Sequence, residues 1–197
     1  MRDPLLVTQL ASVAGSPAVV TIGTFDGVHA GHRALLSRAR DLADVRRERL
    51  VAITFSPRPE ALTAPGRSIL PDICSVDERV VRLRDAGADA VAVVTFSAAV
   101  MAMPAREFMM LLEQLVPMSS LCVGGDFKLG RRGTGTVAAV RALGFVVEAV
   151  DVIARPRAPR KISSSTIRRS IKAGIPAVLA LQGLAPVLGH DLEQVTS

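Results

Sequence analysis

Short apolar runs alternate along this chain with longer stretches whose apolar residues recur at helical spacing. The β-rich runs are Ala18 to Ile22, Leu50 to Phe55, Ala90 to Phe96, Leu121 to Gly124 and Phe145 to Ile153. Helical patterns lie between them, at about Gly31 to Arg47, Val76 to Ala86, Pro104 to Val116 and Gly135 to Leu143. This strand-helix alternation predicts an α/β fold, Rossmann-like and doubly wound: a mostly parallel five-stranded sheet with helices on both faces.

Several element boundaries have a chemical reason. Ser75 followed by Glu78 forms a capping box, and Pro104 with Glu107 suits a first helical turn. Gly174 followed by Pro176 predicts one short helix stopping and another starting, because Gly accepts the left-handed cap and Pro is tolerated at the first helical position. Residues 1–185 are expected to form one domain, with Pro186 to Ser197 as a C-terminal tail. There is no internal repeat and no low-complexity tract.

Composition narrows the choice of partner. A chain of 197 residues, 49% hydrophobic and 21% charged, suits one well-cored globular domain. No apolar run approaches the roughly 20 residues of a membrane helix, and Asp3 and Pro4 interrupt the start, so a cytoplasmic protein without a membrane partner is expected. Cys74 and Cys122 have no CxxC partner and no nearby His, so both read as buried thiols rather than metal ligands. The net charge of +6 favours an anionic partner. With no Trp, no Tyr and six Phe, extended nucleic-acid binding is disfavoured and a small polyphosphate fits better.

Candidate chemistry concentrates in Gly23-Thr24-Phe25-Asp26-Gly27-Val28-His29-Ala30-Gly31-His32, between the first strand and the first helix. In open α/β sheets such turns face the ligand, and the helix N-terminus offers free N–H groups and a positive dipole end to phosphate. Gly23, Gly27 and Gly31 let backbone approach closely, and His29 and His32, three apart, can share one anion. Capping or packing of the imidazoles is the plain alternative, and the zincin Glu that would suggest a metal is missing. A second cradle, Lys161-Ile162-Ser163-Ser164-Ser165-Thr166-Ile167-Arg168-Arg169, follows the last strand and opens a helix, where a Ser caps and Arg168 can grip phosphate in a fork.

The first segment resembles the GxFDGxHxGH signature of the prokaryotic FMN adenylyltransferases, the FAD synthetase half of the bifunctional riboflavin kinase/FAD synthetase family, within the HxGH nucleotidyltransferases. The second resembles that family's SSTxIR motif, with Ser163, Ser164 and Arg168 in register and Ser165 where Thr is usual. Gly124-Gly125-Asp126-Phe127-Lys128-Leu129-Gly130 resembles GxDFxFG, with Leu129 replacing an aromatic. Thr54-Phe55-Ser56-Pro57-Arg58-Pro59 resembles TFxPHP with Arg58 in place of His, and Gly135-Thr136 stands where Gly-Asp is usual. The likeness runs from Val19 to Gly183, with no match to the PTxN motif of the riboflavin kinase barrel, so kinase activity is not expected.

The resemblance implies AMP transfer from ATP, with Mg²⁺, to FMN. It implies catalytic roles for His29, His32 and Arg168, and phosphate or ATP contacts from Gly23, Thr24, Phe25, Asp26, Gly31, Ser163, Ser164 and Ser165. It puts Asp126, Phe127 and Arg58 on the flavin side and supplies no protein metal ligand. Transfer to another phosphate-bearing acceptor, a catalytically silent nucleotide-binding protein, and a nucleic-acid module are the competing readings. The remaining features are read as structural: Arg38, Arg40, Arg46, Arg47 and Arg49 as a solvated face, and Met101, Met103, Met109 and Met110 as core filler. Arg155, Arg157, Arg160 and Lys161 suit either a solvated loop or polyphosphate steering.

Overall fold

All five apolar runs are strands of one sheet in the computed structural model, which describes residues 7–8, 16–63, 70–151 and 163–182. The strands are β1 (Val7–Thr8), β2 (Ala18–Ile22), β3 (Arg49–Ser56), β4 (Ala90–Thr95), β5 (Met118–Gly124), β6 (Lys128–Leu129), β7 (Gly135–Thr136) and β8 (Val147–Val150). The helices are α1 (Ala30–Arg46), α2 (Pro59–Thr63), α3 (Val76–Asp85), α4 (Ala98–Ala102), α5 (Ala105–Leu115), α6 (Val137–Ala142), α7 (Ser164–Lys172) and α8 (Ala177–Leu181). The main sheet runs β1-β4-β3-β2-β5-β8, and β6 pairs with β7 in a separate ribbon. Every pairing in the main sheet is parallel except β1 with β4, an antiparallel edge of two residues that the sequence pattern did not reveal.

Strand residues alternate between two cores because successive side chains leave opposite faces of the sheet. Val20, Ile22, Ile53, Leu121 and Val123 enter one core with Phe108, Met109 and Leu112 of α5. Val19, Leu50, Ala52, Val91 and Cys122 enter the other with Leu35, Leu36 and Ala39 of α1 and Leu83 of α3. Both faces of β2 are therefore buried, which explains a strand without a polar alternation. Burying a side chain such as Leu36 or Leu50 completely stabilises the fold by roughly 1.5–3 kcal/mol.

The order also places the site. β2 pairs with β3 on one side and with β5 on the other, so the chain reverses its direction of travel across the sheet at this point. Loops leaving the carboxyl ends of β2 and β5 diverge there and open a crevice.

Local chemistry sets the observed boundaries. Ser75 and Glu78 make the reciprocal capping box at α3. Gly174 at φ +88 separates α7 from α8. The predicted Gly135 helix starts instead at Val137, because Gly135 and Thr136 pair with β6 and the Thr136 hydroxyl caps α6 by accepting the Ala139 N–H. A Cβ on Gly135 would come within 2.7 Å of Ala105 and Leu129 side chains, so only glycine lets this ribbon lie against α5. Of the four methionines, Met103 and Met109 are core residues, whereas Met110 is 48% exposed. Arg40 is not merely solvated: it pairs with Asp44 and Asp89 and donates to the Glu48 carbonyl. Both cysteines are buried, and no helix among the described residues is long and apolar enough to cross a membrane. The expected tail at 186–197, the domain limit at 185 and the basic run Arg155 to Lys161 lie outside the described residues.

Candidate active site

The turn between β2 and α1 is held in an unusual backbone shape. Phe25, Gly27 and Val28 all take left-handed φ values of 49, 78 and 46°. For a β-branched valine this conformation is costly, and it persists only where the surroundings over-determine it. They do: the Val28 N–H donates to Phe25 O, the Gly27 N–H donates to Cys74 Sγ at 3.2 Å, and Phe25 and Val28 are core side chains. A Cβ at Gly27 would lie 2.7 Å from Ile73 and 2.8 Å from Leu181, so the turn is also clamped from α8.

The turn delivers His29 to the cap position of α1. Its Nδ1 accepts the backbone N–H of His32 at 3.3 Å, which leaves the proton of a neutral imidazole on Nε2. His29 and His32 stack with ring centroids 3.6 Å apart and 16° between planes, and Phe25 meets His32 edge-on at 5.1 Å. Burial pushes the His29 pKa down to about 4, opposed in part by the Asp26 carboxylate. Burial lowers His32 as well, with further contributions from its neighbours His29 and Arg79. Both rings are thus neutral at pH 7 in the ligand-free protein.

A buried ion pair fastens this turn to α7. Arg168 Nη1 lies 2.6 Å from Asp26 Oδ2, and Asp26 Oδ1 accepts the Ile73 N–H at 2.8 Å. Asp26 is 0% exposed and both its oxygens are engaged, so it sits behind the cavity wall rather than in its lining. The Asp26 side chain, which the resemblance puts on phosphate, is thus engaged by Arg168 and the Ile73 N–H. Ser163 caps α7 by accepting the Thr166 N–H, Ser164 donates to the Asp26 carbonyl, and Arg168 Nη2 reaches Ser165 Oγ at 3.4 Å.

These elements enclose a cavity of about 530 Å³. Gly23, Thr24, Phe25, His29, Gly31 and His32 line one part of it, and Ser163, Ser164, Ser165 and Arg168 another, with Asp126 and Phe127 after β5. Arg58 lines neither this cavity nor its neighbour. It is 3% exposed, with Nε 2.6 Å from Asp72 Oδ1 and a further bond to the Leu70 carbonyl, so it ties the start of α2 to the segment before α3.

Sequence reading also missed several residues. Glu60 and Asp151 line the main cavity, and no motif marked them. Arg79, completely buried under the β3 end, looked like one more polar position on an amphipathic helix. A second cavity of about 410 Å³ shares Ile22, Gly23, Thr24 and Phe127 with the first and is lined by Phe55, Phe96, Phe108 and Met101. These aromatics come from separate elements, and only their being four of the chain's six Phe hinted at a shared purpose.

The sheet order defines a Rossmann-like α/β domain, with the larger cavity at the topological switch point. The chain belongs to the FAD synthetase family, whose model matches residues 12–166. A bifunctional riboflavin kinase/FMN adenylyltransferase of Listeria monocytogenes is 29% identical over 159 residues, 79% of this chain and 50% of the relative. The Escherichia coli K12 protein of that name is 32% identical over 125 residues, 63% of this chain and 40% of the relative. The chain spans about half the length of the curated relatives it matches. A solved structure titled macrolide-efflux protein, from Streptococcus pneumoniae, aligns with a TM-score of 0.71 at 23% identity over 83% of this chain and 54% of that one, a likeness of fold.

Proposed function

We propose that this protein transfers the adenylyl group of ATP to FMN, forming FAD and pyrophosphate. Two cavities meeting at Gly23 and Thr24, the larger carrying the histidines, serines and Arg168 and the smaller the phenylalanines, support this most directly. The larger one offers a histidine-capped helix end, serine hydroxyls and Arg168, as a triphosphate requires. The smaller one offers four phenylalanine rings, as a flat, largely apolar ring system requires. A phosphate carried by the ring's side chain would then reach the shared wall, where the two substrates must react. Membership of the FAD synthetase family supports FMN as the acceptor.

In this mechanism an FMN phosphate oxygen attacks the α-phosphorus in line. The new P–O bond forms as the bond to the oxygen bridging to the β-phosphate breaks, and that oxygen leaves with pyrophosphate. No protein nucleophile is involved, so catalysis consists of alignment and stabilisation of developing charge. The Nε2–H of His29 is the donor left free by the helix cap, and we assign it, with His32, to the α-phosphate. Ser163, Ser164 and Arg168 are assigned to the β- and γ-phosphates. Arg168 keeps one nitrogen on Asp26, and its long 3.4 Å contact to Ser165 is the one a phosphate oxygen would replace. Among the described residues no three His, Cys, Asp or Glu side chains converge to hold a metal ion, which suits Mg²⁺ entering as the MgATP substrate and held through its phosphates. The compartment proposed is the cytoplasm, without nucleic-acid or membrane partners, on the sequence grounds given above.

The test is turnover. Purified protein is incubated with ATP, Mg²⁺ and FMN, flavins are separated by chromatography, and other phosphate acceptors run in parallel. FAD appearing with equimolar pyrophosphate is expected. Pyrophosphate release only with another acceptor would move the substrate, and no turnover with any acceptor would overturn the proposal.

A further inference from the structure

Arg79 is the largest completely buried side chain among the described residues, and the roles assigned above do not use it. From α3 its Nη1 donates to Phe55 O at 2.9 Å and to Thr54 Oγ1 at 3.3 Å. The Thr54 hydroxyl in turn donates to the carbonyl of Thr24 at 2.9 Å, and Thr24 lies on the wall shared by both cavities. Arg79 Nη2 reaches Asp72 Oδ2 at 3.4 Å, but that same carboxylate pairs with Arg58 at 2.6 Å. Two buried guanidiniums therefore share one half-exposed carboxylate, and Arg79 Nε is enclosed without a hydrogen-bond partner among the described residues. Incomplete pairing of a buried cation is costly and is unusual in a purely structural network.

We infer that Arg79 is a positioning residue for the nucleotide site, acting through Thr54 on the Thr24 carbonyl. The inference deepens the adenylyl-transfer reading and rests on it for its functional meaning. Protonating His32 would place a second cation beside Arg79, and its enclosed Nδ1 has no partner among the described residues to receive the new proton's hydrogen bond. Burial is the first cause that keeps His32 neutral, and the Arg79 charge adds to it. Other charged groups around the pair are Asp26 behind the turn, Arg168 from α7, and Glu60, Asp126 and Asp151 on the cavity lining.

The chain has three histidines, so their ring Cε1–H resonances can be resolved and titrated by NMR in the full-length protein. Arg79→Met should move the His32 midpoint upward, whereas Arg79→Lys should hold it near wild type. Arg79→Gln keeps a donor for Phe55 O without the charge and takes the place of Arg79→Met if that variant does not fold. An unchanged His32 midpoint in a folded, uncharged variant would overturn the electrostatic role. Thr54→Val keeps the charge and removes the relay; it should leave the His32 midpoint in place and raise the calorimetric Kd for ATP about fivefold, the worth of one hydrogen bond. A wild-type Kd in Thr54→Val would overturn the relay. Neither readout involves FMN turnover, so wild-type protein that fails to make FAD would sink the flavin reading and leave these results standing.

Discussion

The two cavities that meet at Gly23 and Thr24 are built differently. The one carrying the histidines and serines draws its main groups from two helix starts, the turn before α1 and the first turn of α7 with its Ser163 cap. The aromatic one collects Phe55, Phe96, Phe108 and Phe127 from β3, the segment after β4, α5 and the loop after β5. A helix N-terminus gathers its cap, its free N–H groups and its dipole within one turn, so chemistry that depends on them stays contiguous in sequence. Apolar complementarity asks only for bulk at a position, so it can be assembled from anywhere in the fold.

Breaking the histidine side at its foundation should have the largest effect. Asp26→Ala would strand Arg168 as an unpaired buried charge, at a cost of about 3–5 kcal/mol. Urea unfolding checks this, and a loss below about 1 kcal/mol would mean the turn and α7 are independent. His29→Ala should lower kcat for FAD formation roughly 10²- to 10³-fold while the KM for FMN changes little. A rise in the FMN KM with kcat intact would instead put His29 on the acceptor side.

Acid should loosen the histidine side selectively. His29 titrates near pH 4 folded and near 6.5 unfolded, so between those values the unfolded chain binds the proton more readily. Stability should therefore fall as pH drops from 6.5 to 4, on the order of 3 kcal/mol from His29, with His32 acting in the same direction. His29→Asn retains a cap acceptor and should flatten this dependence in unfolding curves taken across the range. The smallest effect belongs to the aromatic side. Phe96→Ala should raise the KM for FMN about tenfold and leave that for ATP unchanged, as initial rates with either substrate varied would show.

Most of the fold was legible because parallel strands buried on both faces, such as β2 and β4, read as plain apolar runs. The β1 edge was not, since two residues paired with Val93 and Val94 carry no pattern of their own. That His29, His32, Ser163, Ser164 and Arg168 line one cavity was legible because each group is contiguous in sequence at a helix start. Asp26 and Arg58 stand in legible motifs, but the partners of their side chains were not legible. A motif fixes where a residue's backbone goes, and the direction of its side chain was decided by Arg168, 142 positions from Asp26, and by Asp72 beside Arg58. Arg79 gave no signal at all, because a polar residue on an amphipathic helix is usually in water, and only the approach of β3 buries this one.

The division of labour between the cavities is tested most directly by a crystal structure with FMN and a non-hydrolysable ATP analogue bound together. The expected result puts the triphosphate against His29, Ser163 and Ser164, the flavin ring among Phe55, Phe96 and Phe127, and the FMN phosphate at Thr24 facing the α-phosphorus. An adenine ring seated among the phenylalanines, or a flavin that never enters them, would contradict it.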